Sequence, residues 1–323
     1  MIILTGGAGF VGSNILKRLN SDGHDDVLVV DNLKKSDKYR NLVGTRVLDI
    51  VDKIEFYDRL DKGAWDGESI EAILHQGACT DTLEYDGVYM MRTNYEASKS
   101  LLHFALRKNV PMVYASSAAV YGHTAEASEV PENESPLNIY GFSKLAFDNY
   151  VRRVAASGTN LVVGLRYFNV YGHGEQHKGG MASMVYQLSR QIQETGVARL
   201  FGALGPYGPG EQSRDFVSVL DLVEINMYFL SRDPVVAAVN AGSGVRSTWN
   251  DLANEVIKTL GRGRIEYFEF PERLRDKYQF NTRADLGRLR ALGYDKPMTS
   301  LGKGIHDYVS TLDQEAARFL PQL

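Results

Sequence analysis

Ile2-Ile3-Leu4-Thr5-Gly6-Gly7-Ala8-Gly9-Phe10-Val11-Gly12-Ser13-Asn14-Ile15-Leu16 opens the chain, and its reading governs the rest. A short apolar run ends in glycines spaced GxxGxxG, at Gly6, Gly9 and Gly12, and a segment with Ile15, Leu16 and Leu19 on one helical face follows at once. The order is strand, glycine turn, helix. Such a turn lets the backbone approach a pyrophosphate, and the free N–H groups of the helix N-terminus then face the anion. Glycine spacing alone is a weak signal. Here strand, loop, helix and a second strand, Val27-Leu28-Val29-Val30, occur in order before Asp31. Gly6, Gly9, Phe10, Val11 and Gly12 are therefore expected to hold a dinucleotide.

The second strand ends at Asp31, where an acidic side chain can accept both ribose hydroxyls of an adenosine and favour NAD. Asn32, Lys34, Lys35, Lys38 and, further on, Lys53 crowd the same corner. The lysine charges would compensate a 2′-phosphate. The lysines tip the expectation to NADP, with NAD as the alternative.

Beyond this unit, short apolar runs recur at Val47-Leu48, Ala72-Ile73-Leu74, Met112-Val113-Tyr114 and Leu161-Val162-Val163-Gly164-Leu165. Runs this short and apolar read as strands buried on both faces, and the segments between them are long enough for crossover helices. Six units predict an α/β fold: a doubly wound parallel Rossmann sheet with a smaller mixed α/β substrate domain. The rhythm breaks after about residue 170, and Gly202-Ala203-Leu204-Gly205-Pro206-Tyr207-Gly208-Pro209-Gly210 reads as a loop. Phe216-Val217-Ser218-Val219 and Val235-Val236-Ala237-Ala238-Val239 offer further strands. Residues 1–170 plus about 216–240 are expected to bind NADP, and 171–215 plus 241–323 to form an interleaved substrate-binding domain.

Composition narrows the function classes. The 323 residues carry 36 Lys+Arg against 40 Asp+Glu, a formal charge of −4, which argues against a nucleic-acid groove or a polybasic membrane patch. The single cysteine, Cys79, excludes a disulfide framework and a cysteine-rich zinc site. It reads as a small buried residue rather than a nucleophile. No apolar run approaches the roughly 20 residues of a membrane span, and the first residues lack a signal-peptide pattern. A soluble, cytoplasmic protein is expected, with neither nucleic acid nor membrane as partner. His173 and His177 lie four residues apart in a glycine-rich stretch, and no carboxylate is arranged with them in a recognised zinc pattern, so no metal is expected.

Two YxxxK pairs occur, Tyr95/Lys99 and Tyr140/Lys144. On a helix the two side chains share one face, and the ammonium is expected to lower the phenol pKa so that Tyr140 can shuttle protons. Only Tyr140/Lys144 follows a strand ending in serines, Ser116-Ser117, at the edge where doubly wound folds place ligands. Tyr95/Lys99 reads as helix packing.

Thr5-Gly6-Gly7-Ala8-Gly9-Phe10-Val11-Gly12, Asp31-Asn32-Leu33, Tyr114-Ala115-Ser116-Ser117-Ala118-Ala119-Val120-Tyr121-Gly122, Tyr140-Gly141-Phe142-Ser143-Lys144, Arg166-Tyr167-Phe168-Asn169-Val170-Tyr171-Gly172 and Arg214-Asp215-Phe216-Val217 together resemble the extended short-chain dehydrogenase/reductase family, nearly end to end. The resemblance implies catalytic Ser117, Tyr140 and Lys144 and a nucleotide-linked sugar as substrate. Gln76-Gly77-Ala78-Cys79-Thr80, Tyr89-Met90-Met91, His177-Lys178-Gly179-Gly180-Met181-Ala182-Ser183 and Lys277-Tyr278-Gln279 resemble the branch that inverts C6″ of an ADP-linked heptose for lipopolysaccharide synthesis. That branch implies Lys178 as a second acid/base facing Tyr140 across the substrate. It also implies cofactor contacts from Gln76, Gly77, Ala78, Cys79, Thr80, Asn94, Lys144, Val170 and Lys178. Asn169, Gly180, Gln187, Phe201, Gly202, Ala203, Arg214 and Tyr278 would meet the substrate, and a homo-oligomer such as a pentamer is implied.

The chain departs from that branch at several points: Gly180 where Ser is usual, Gln187 for His, Gln76 for an acid, His173 for Pro, and a longer 203–213 loop. A nucleotide-sugar 4-epimerase such as one acting on UDP-glucose is the rival, sharing Ser117, Tyr140 and Lys144 without needing Lys178. A 4,6-dehydratase fits less, because Ala118-Ala119 stand where it carries an acid/base pair. A non-catalytic NADP sensor would not need the Tyr/Lys pair.

Overall fold

The first strand, β1 (Ile2–Thr5), is buried along its length, and its side chains alternate between two cores. Ile2 and Leu4 join Ile15, Leu16 and Leu19 on one side. Ile3 joins Phe56, Leu60, Leu101 and Phe147 on the other. A strand buried on both faces requires helices on both faces of its sheet. The computed structural model, which describes residues 1–124, 127–155, 159–272 and 279–312, shows that arrangement.

After β1 the chain forms β2 (Val27–Asp31), β3 (Asp49–Asp52), β4 (Ala72–His75), β5 (Met112–Ser117) and β6 (Val162–Tyr167). It leaves the sheet through β7 (Asn169–Tyr171), β8 (Val197–Phe201), β9 (Ser213–Arg214) and β10 (Phe216–Ser218), returns as β11 (Val236–Ala241), and ends with β12 (Ser247–Thr248) and β13 (Arg264–Phe268). The large sheet has seven strands in the order β11-β6-β5-β4-β1-β2-β3, and all its pairings are parallel. The doubly wound expectation holds, with one strand more than six. The third strand lies at Asp49–Asp52, not at Val47-Leu48. It is the sheet edge: Val51 alone is buried, and Leu48 is 57% exposed. At such an edge hydrophobicity no longer marks the strand.

Ten helices accompany the strands: α1 (Phe10–Ser21), α2 (Lys53–Asp61), α3 (Gly87–Met91), α4 (Ala97–Lys108), α5 (Ile139–Val154), α6 (Met184–Thr195), α7 (Val219–Leu230), α8 (Trp249–Leu260), α9 (Gly287–Ala291) and α10 (Leu301–Val309), counted over the described residues. Helices α1 and α7 cover one face of the sheet, and α2, α4 and α5 the other. Leu289 of α9 and Tyr294 just after it return to the first of these cores. A third core joins α6, α8 and α10 through Val185, Leu188, Ile192, Leu252, Val256 and Ile305. This smaller lobe carries the parallel pair β8/β13, and the parallel pair β7/β10 connects it to the sheet. Among the described residues no helix is long and apolar enough to cross a membrane.

Strand order reverses between β1 and β4, and the loops beyond their carboxyl ends meet there. A Cβ on Gly6 would stand 2.7 Å from the Gly77 nitrogen. A crevice at such a reversal is where open α/β sheets bind ligands.

Candidate active site

The glycine turn is shaped by close approach. Gly6 has φ +70°, and a Cβ on Gly12 would lie 2.1 Å from the Gly6 carbonyl oxygen. The Gly9 N–H donates to that same oxygen at 2.9 Å. Gly9 caps α1 without any side-chain bond, and the first turn carries no acid. The N–H groups of Phe10, Val11 and Gly12 therefore lack intrahelical acceptors and present the positive end of the helix dipole. This cradle fits a pyrophosphate.

At the adenosine corner Asp31 is buried. It accepts from the Ala8 N–H at 2.9 Å, the Asn32 N–H at 2.7 Å and Lys38 Nζ at 2.7 Å. Asp31 pairs in register with Asp52, so Lys53, the next residue, opens α2 beside the same strand ends. Lys34 and Lys35 are exposed.

Beyond β4 the chain is pinned rather than free. Gln76 donates to Asn226 Oδ1 at 3.1 Å and accepts from Tyr167 OH at 2.9 Å. The Gly77 N–H donates to Thr5 Oγ1 at 3.0 Å. Asn94, in a wide π-helical turn before α4, accepts from the Cys79 N–H at 2.8 Å and donates to the Cys79 carbonyl at 2.9 Å. Gln76 and Asn94 thus hold the Gln76–Cys79 backbone, and Thr80 is exposed.

Ser117 ends β5, and Asn138 caps α5 by accepting from the Gly141 N–H at 2.8 Å. Gly141 brings α5 tight against the turn after β5: a Cβ there would meet the Ala119 oxygen at 2.7 Å. Tyr140, in the first turn of α5, consequently reaches Ser117. Lys144, one turn on, donates to the Ala115 carbonyl at 2.7 Å. Burial lowers the Lys144 ammonium to about 8, with Asp148 opposing. The Tyr140 phenol is not pulled down as its neighbour on the helix led one to expect. Burial raises it, the bond with Ser117 lowers it in part, and Cys79 adds to the rise. Lys144 directs its ammonium at a carbonyl instead. Cys79 is half-buried beside this group and also bonds Tyr89.

The structure brings Ser117, Tyr140, Lys144 and Cys79 together. Lys178 is set over the Phe10 ring, 5.5 Å from its centroid. Burial lowers its pKa, and the carboxylate of Glu175 opposes. Gly180 is exposed with open space around its Cα. Gln187 donates to the Gly180 and Ala182 carbonyls at 3.1 and 2.7 Å. Asn169 and Ala203 are exposed, and Val170 pairs with Val217. The Phe201 ring meets Phe268 and Phe270, and the Gly202 N–H donates to the Phe268 oxygen at 2.7 Å. Arg214 is buried over the Trp249 ring. Tyr278 lies outside the described residues. Tyr95/Lys99 is a packing pair, with the Lys99 ammonium 4.8 Å from the Tyr95 ring and bound to Glu96.

Several residues of the site escaped the sequence reading. His75 at the end of β4 bonds Thr5 Oγ1 at 2.6 Å and Ser98 Oγ at 2.8 Å. Asp148 continues the Tyr140–Lys144 face of α5 by one more turn, a spacing visible in the sequence. Asn14 and Asn41 flank the Lys178 segment and Glu175 lies within it, and nothing local in the sequence marks them.

A glycine cradle at a strand reversal, with a serine, a tyrosine and a lysine beside it, defines an α/β protein of the dinucleotide-binding class. The profile of the NAD dependent epimerase/dehydratase family matches residues 2–242, and the chain belongs to that family. It is 48% identical to the ADP-L-glycero-D-manno-heptose-6-epimerase of Alkalilimnicola ehrlichii over 97% of both chains. Among solved structures it resembles the Helicobacter pylori ADP-L-glycero-D-manno-heptose-6-epimerase (32% identity, TM-score 0.83, 98% of this chain and 96% of that one). It also resembles a UDP-glucose 4-epimerase from Thermotoga maritima (26% identity, TM-score 0.81, 98% and 99% covered).

Proposed function

We propose that the protein inverts C6″ of ADP-D-glycero-D-manno-heptose, through a 6-keto sugar, to give ADP-L-glycero-D-manno-heptose for lipopolysaccharide core synthesis, with NADP as resident dinucleotide. One observation carries the substrate: the identity of 48% with a curated 6-epimerase across 97% of the chain. When bound, the nicotinamide supplies acceptance and return of the hydride. The chain's own residues move the protons. Ser117 orients the sugar hydroxyl, and Tyr140 takes its proton in one orientation of the sugar. Lys144, at about 8, still carries its charge on most molecules at neutral pH and counters the charge of a phenolate.

A keto sugar that turns its other face moves its oxygen, and one phenol cannot serve both positions. Lys178 serves the second. Burial lowers its pKa, which makes this lysine readier to give up a proton than an exposed one. Lys38 and Lys53 beside Asp31 support NADP over NAD, since Asp31 is already engaged by Lys38. In this reading Phe201, Gly202, Ala203, Arg214 and Tyr278 hold the sugar nucleotide with Asn169, Gly180 and Gln187. Residues 1–170 plus about 216–240 serve the dinucleotide, 171–215 plus 241–323 serve the substrate, and the protein works as a cytoplasmic homo-oligomer.

The test is incubation of purified protein with ADP-D-glycero-D-manno-heptose and separation of the C6″ epimers. Conversion is expected, with Tyr140→Phe and Lys178→Met each cutting turnover by about 100-fold or more. Conversion of UDP-galactose without conversion of the heptose overturns the reading. Near-normal turnover of Lys178→Met removes the two-base scheme. NAD rather than NADP released from the denatured protein reverses the cofactor assignment.

A further inference from the structure

The segment that carries Lys178 is closed at its two ends by the buried Glu175 carboxylate, which accepts from the Gly172 N–H at 3.2 Å, the Ser183 N–H and Ser183 Oγ at 2.7 Å. It runs from Gly172 to Ala182 through a short helical turn broken at Gly179, and Gly172, Gly174 and Gly179 all adopt positive φ. Two buried asparagines hold its backbone from the dinucleotide side. Asn14 of α1 donates from Nδ2 to the Phe10 carbonyl at 2.9 Å and to the His173 carbonyl at 2.7 Å. Asn41 donates from Nδ2 to the Ala8 carbonyl at 3.0 Å and to the Gly174 carbonyl at 3.0 Å, with His177 Nδ1 at 3.3 Å.

Each amide therefore ties one carbonyl of the glycine turn to one carbonyl of the Lys178 segment. Only a side chain with two N–H donors on one atom can do this; a carboxylate of the same shape would face two carbonyls with no proton to give. The short helical turn that ends in Asn41 spans Ser36–Asn41 and also holds Lys38, the partner of Asp31. Asp31 in turn accepts from the Ala8 N–H, whose residue supplies the carbonyl to Asn41. The adenosine corner, the glycine turn and the Lys178 segment are thus closed into one hydrogen-bonded circuit. The Lys178 ammonium over the Phe10 ring is a further contact between the same two segments.

We propose that Asn14 and Asn41 are positioning residues that fix Lys178 against the dinucleotide turn, so that ordering of the glycine turn also orders the second base. This rests on the assignment of Lys178 as an acid/base group. The experiment uses the purified protein with its bound cofactor and the variants Asn14→Ala, Asn41→Ala, Lys178→Met and Asn41→Ala/Lys178→Met. Amide exchange of residues 172–183 should rise about tenfold in each asparagine variant while β1 and β4 keep their protection. Turnover should fall about 10–100-fold with KM for the sugar nucleotide changed less than about threefold. The double variant should be no slower than Lys178→Met. Unchanged exchange in 172–183, an equal rise across the large sheet, or a full extra loss in the double variant overturns the proposal. If Lys178→Met turns over normally, the two-base scheme is what has failed, and the exchange pattern alone decides whether the asparagines hold this segment.

Discussion

Gly12 and His75 lie on either side of the strand reversal and differ in how far the sequence betrays them. The demand on Gly12 is local, since the turn that a GxxGxxG spacing implies leaves no room for a Cβ beside the Gly6 oxygen. His75 is set by long-range neighbours. Thr5 and Ser98 come to its two ring nitrogens from β1 and α4, and no spacing announces either. Burial, assisted by the charge of Lys144, lowers this imidazole from an ordinary 6.5 to about 3. Between those values the unfolded chain binds a proton that the folded chain refuses, so this group makes stability rise with pH across the window and fall on acidification from 6.5. Between pH 6.5 and 5 it should cost about 2 kcal/mol. Urea unfolding at pH 7 and pH 5 checks this. His75→Gln should be less stable at pH 7 yet lose less stability between the two pH values than the parent, and parallel losses would remove His75 as the source.

Helix α5 carries Tyr140, Lys144 and Asp148 along one face, and β6 supplies what holds that face down. Asp148 and Arg166 are both fully buried and bond through Arg166 Nε and Asp148 Oδ2 at 3.0 Å. Asp148 also accepts from Tyr114 OH at 3.0 Å and Ser116 Oγ at 2.9 Å, and Arg166 reaches Tyr121 and Glu134. Ser116 precedes Ser117, so this ionic cluster ties the helix bearing the phenol to the strand bearing the serine. Tyr140 and Lys144 were legible as a spacing of four, and Asp148 extends that spacing by a turn. Arg166 was not legible, because its partnership depends on how β5 and β6 lie under α5. The displaced edge strand β3 has the same kind of cause, with hydrophobicity fading where only one residue is covered. Breaking a buried pair strands a charge, and Asp148→Asn or Arg166→Met should each cost about 3–5 kcal/mol. Asp148→Leu/Arg166→Met, which removes both charges, should cost less than the sum of Asp148→Leu and Arg166→Met measured singly. Thermal denaturation of the four proteins in that cycle decides it, and strict additivity would show that the two side chains are not coupled.

At the scale of the molecule, the sheet and the smaller lobe interleave along the chain, and one carboxylate gathers the crossings. The sequence showed the break in rhythm after residue 170 and the glycine-rich loop at 202–210. It also offered residues 235–239 as a strand, and β11 returns to the sheet there; it did not show that Leu289 of α9 and Tyr294 come back to the core of the sheet, because that segment carries no strand signature. Asp215, between β9 and β10, is fully buried. It accepts from the Ser243 N–H at 2.6 Å, Ser243 Oγ at 2.7 Å, the Gly244 N–H at 2.9 Å and the Ala284 N–H at 2.9 Å. Three chain segments, one following β11 and one preceding α9, are thereby fastened beside Arg214. Its own backbone carbonyl accepts from the Asn169 N–H at 3.0 Å, which adds the strand that leaves the sheet. An amide in this place has one acceptor oxygen where the carboxylate has two, so its NH2 group must face backbone donors. Each stranded donor costs about 1–3 kcal/mol, and Asp215→Asn should therefore lower stability by about 3 kcal/mol. Because Arg214 and the Asn169 strand are placed from the same point, KM for the sugar nucleotide should rise more than kcat falls. Denaturant unfolding and steady-state kinetics read the two effects separately. An unchanged midpoint would mean that the segments are held elsewhere, and a lowered midpoint with unchanged KM would confine Asp215 to holding the lobes together without setting the substrate side.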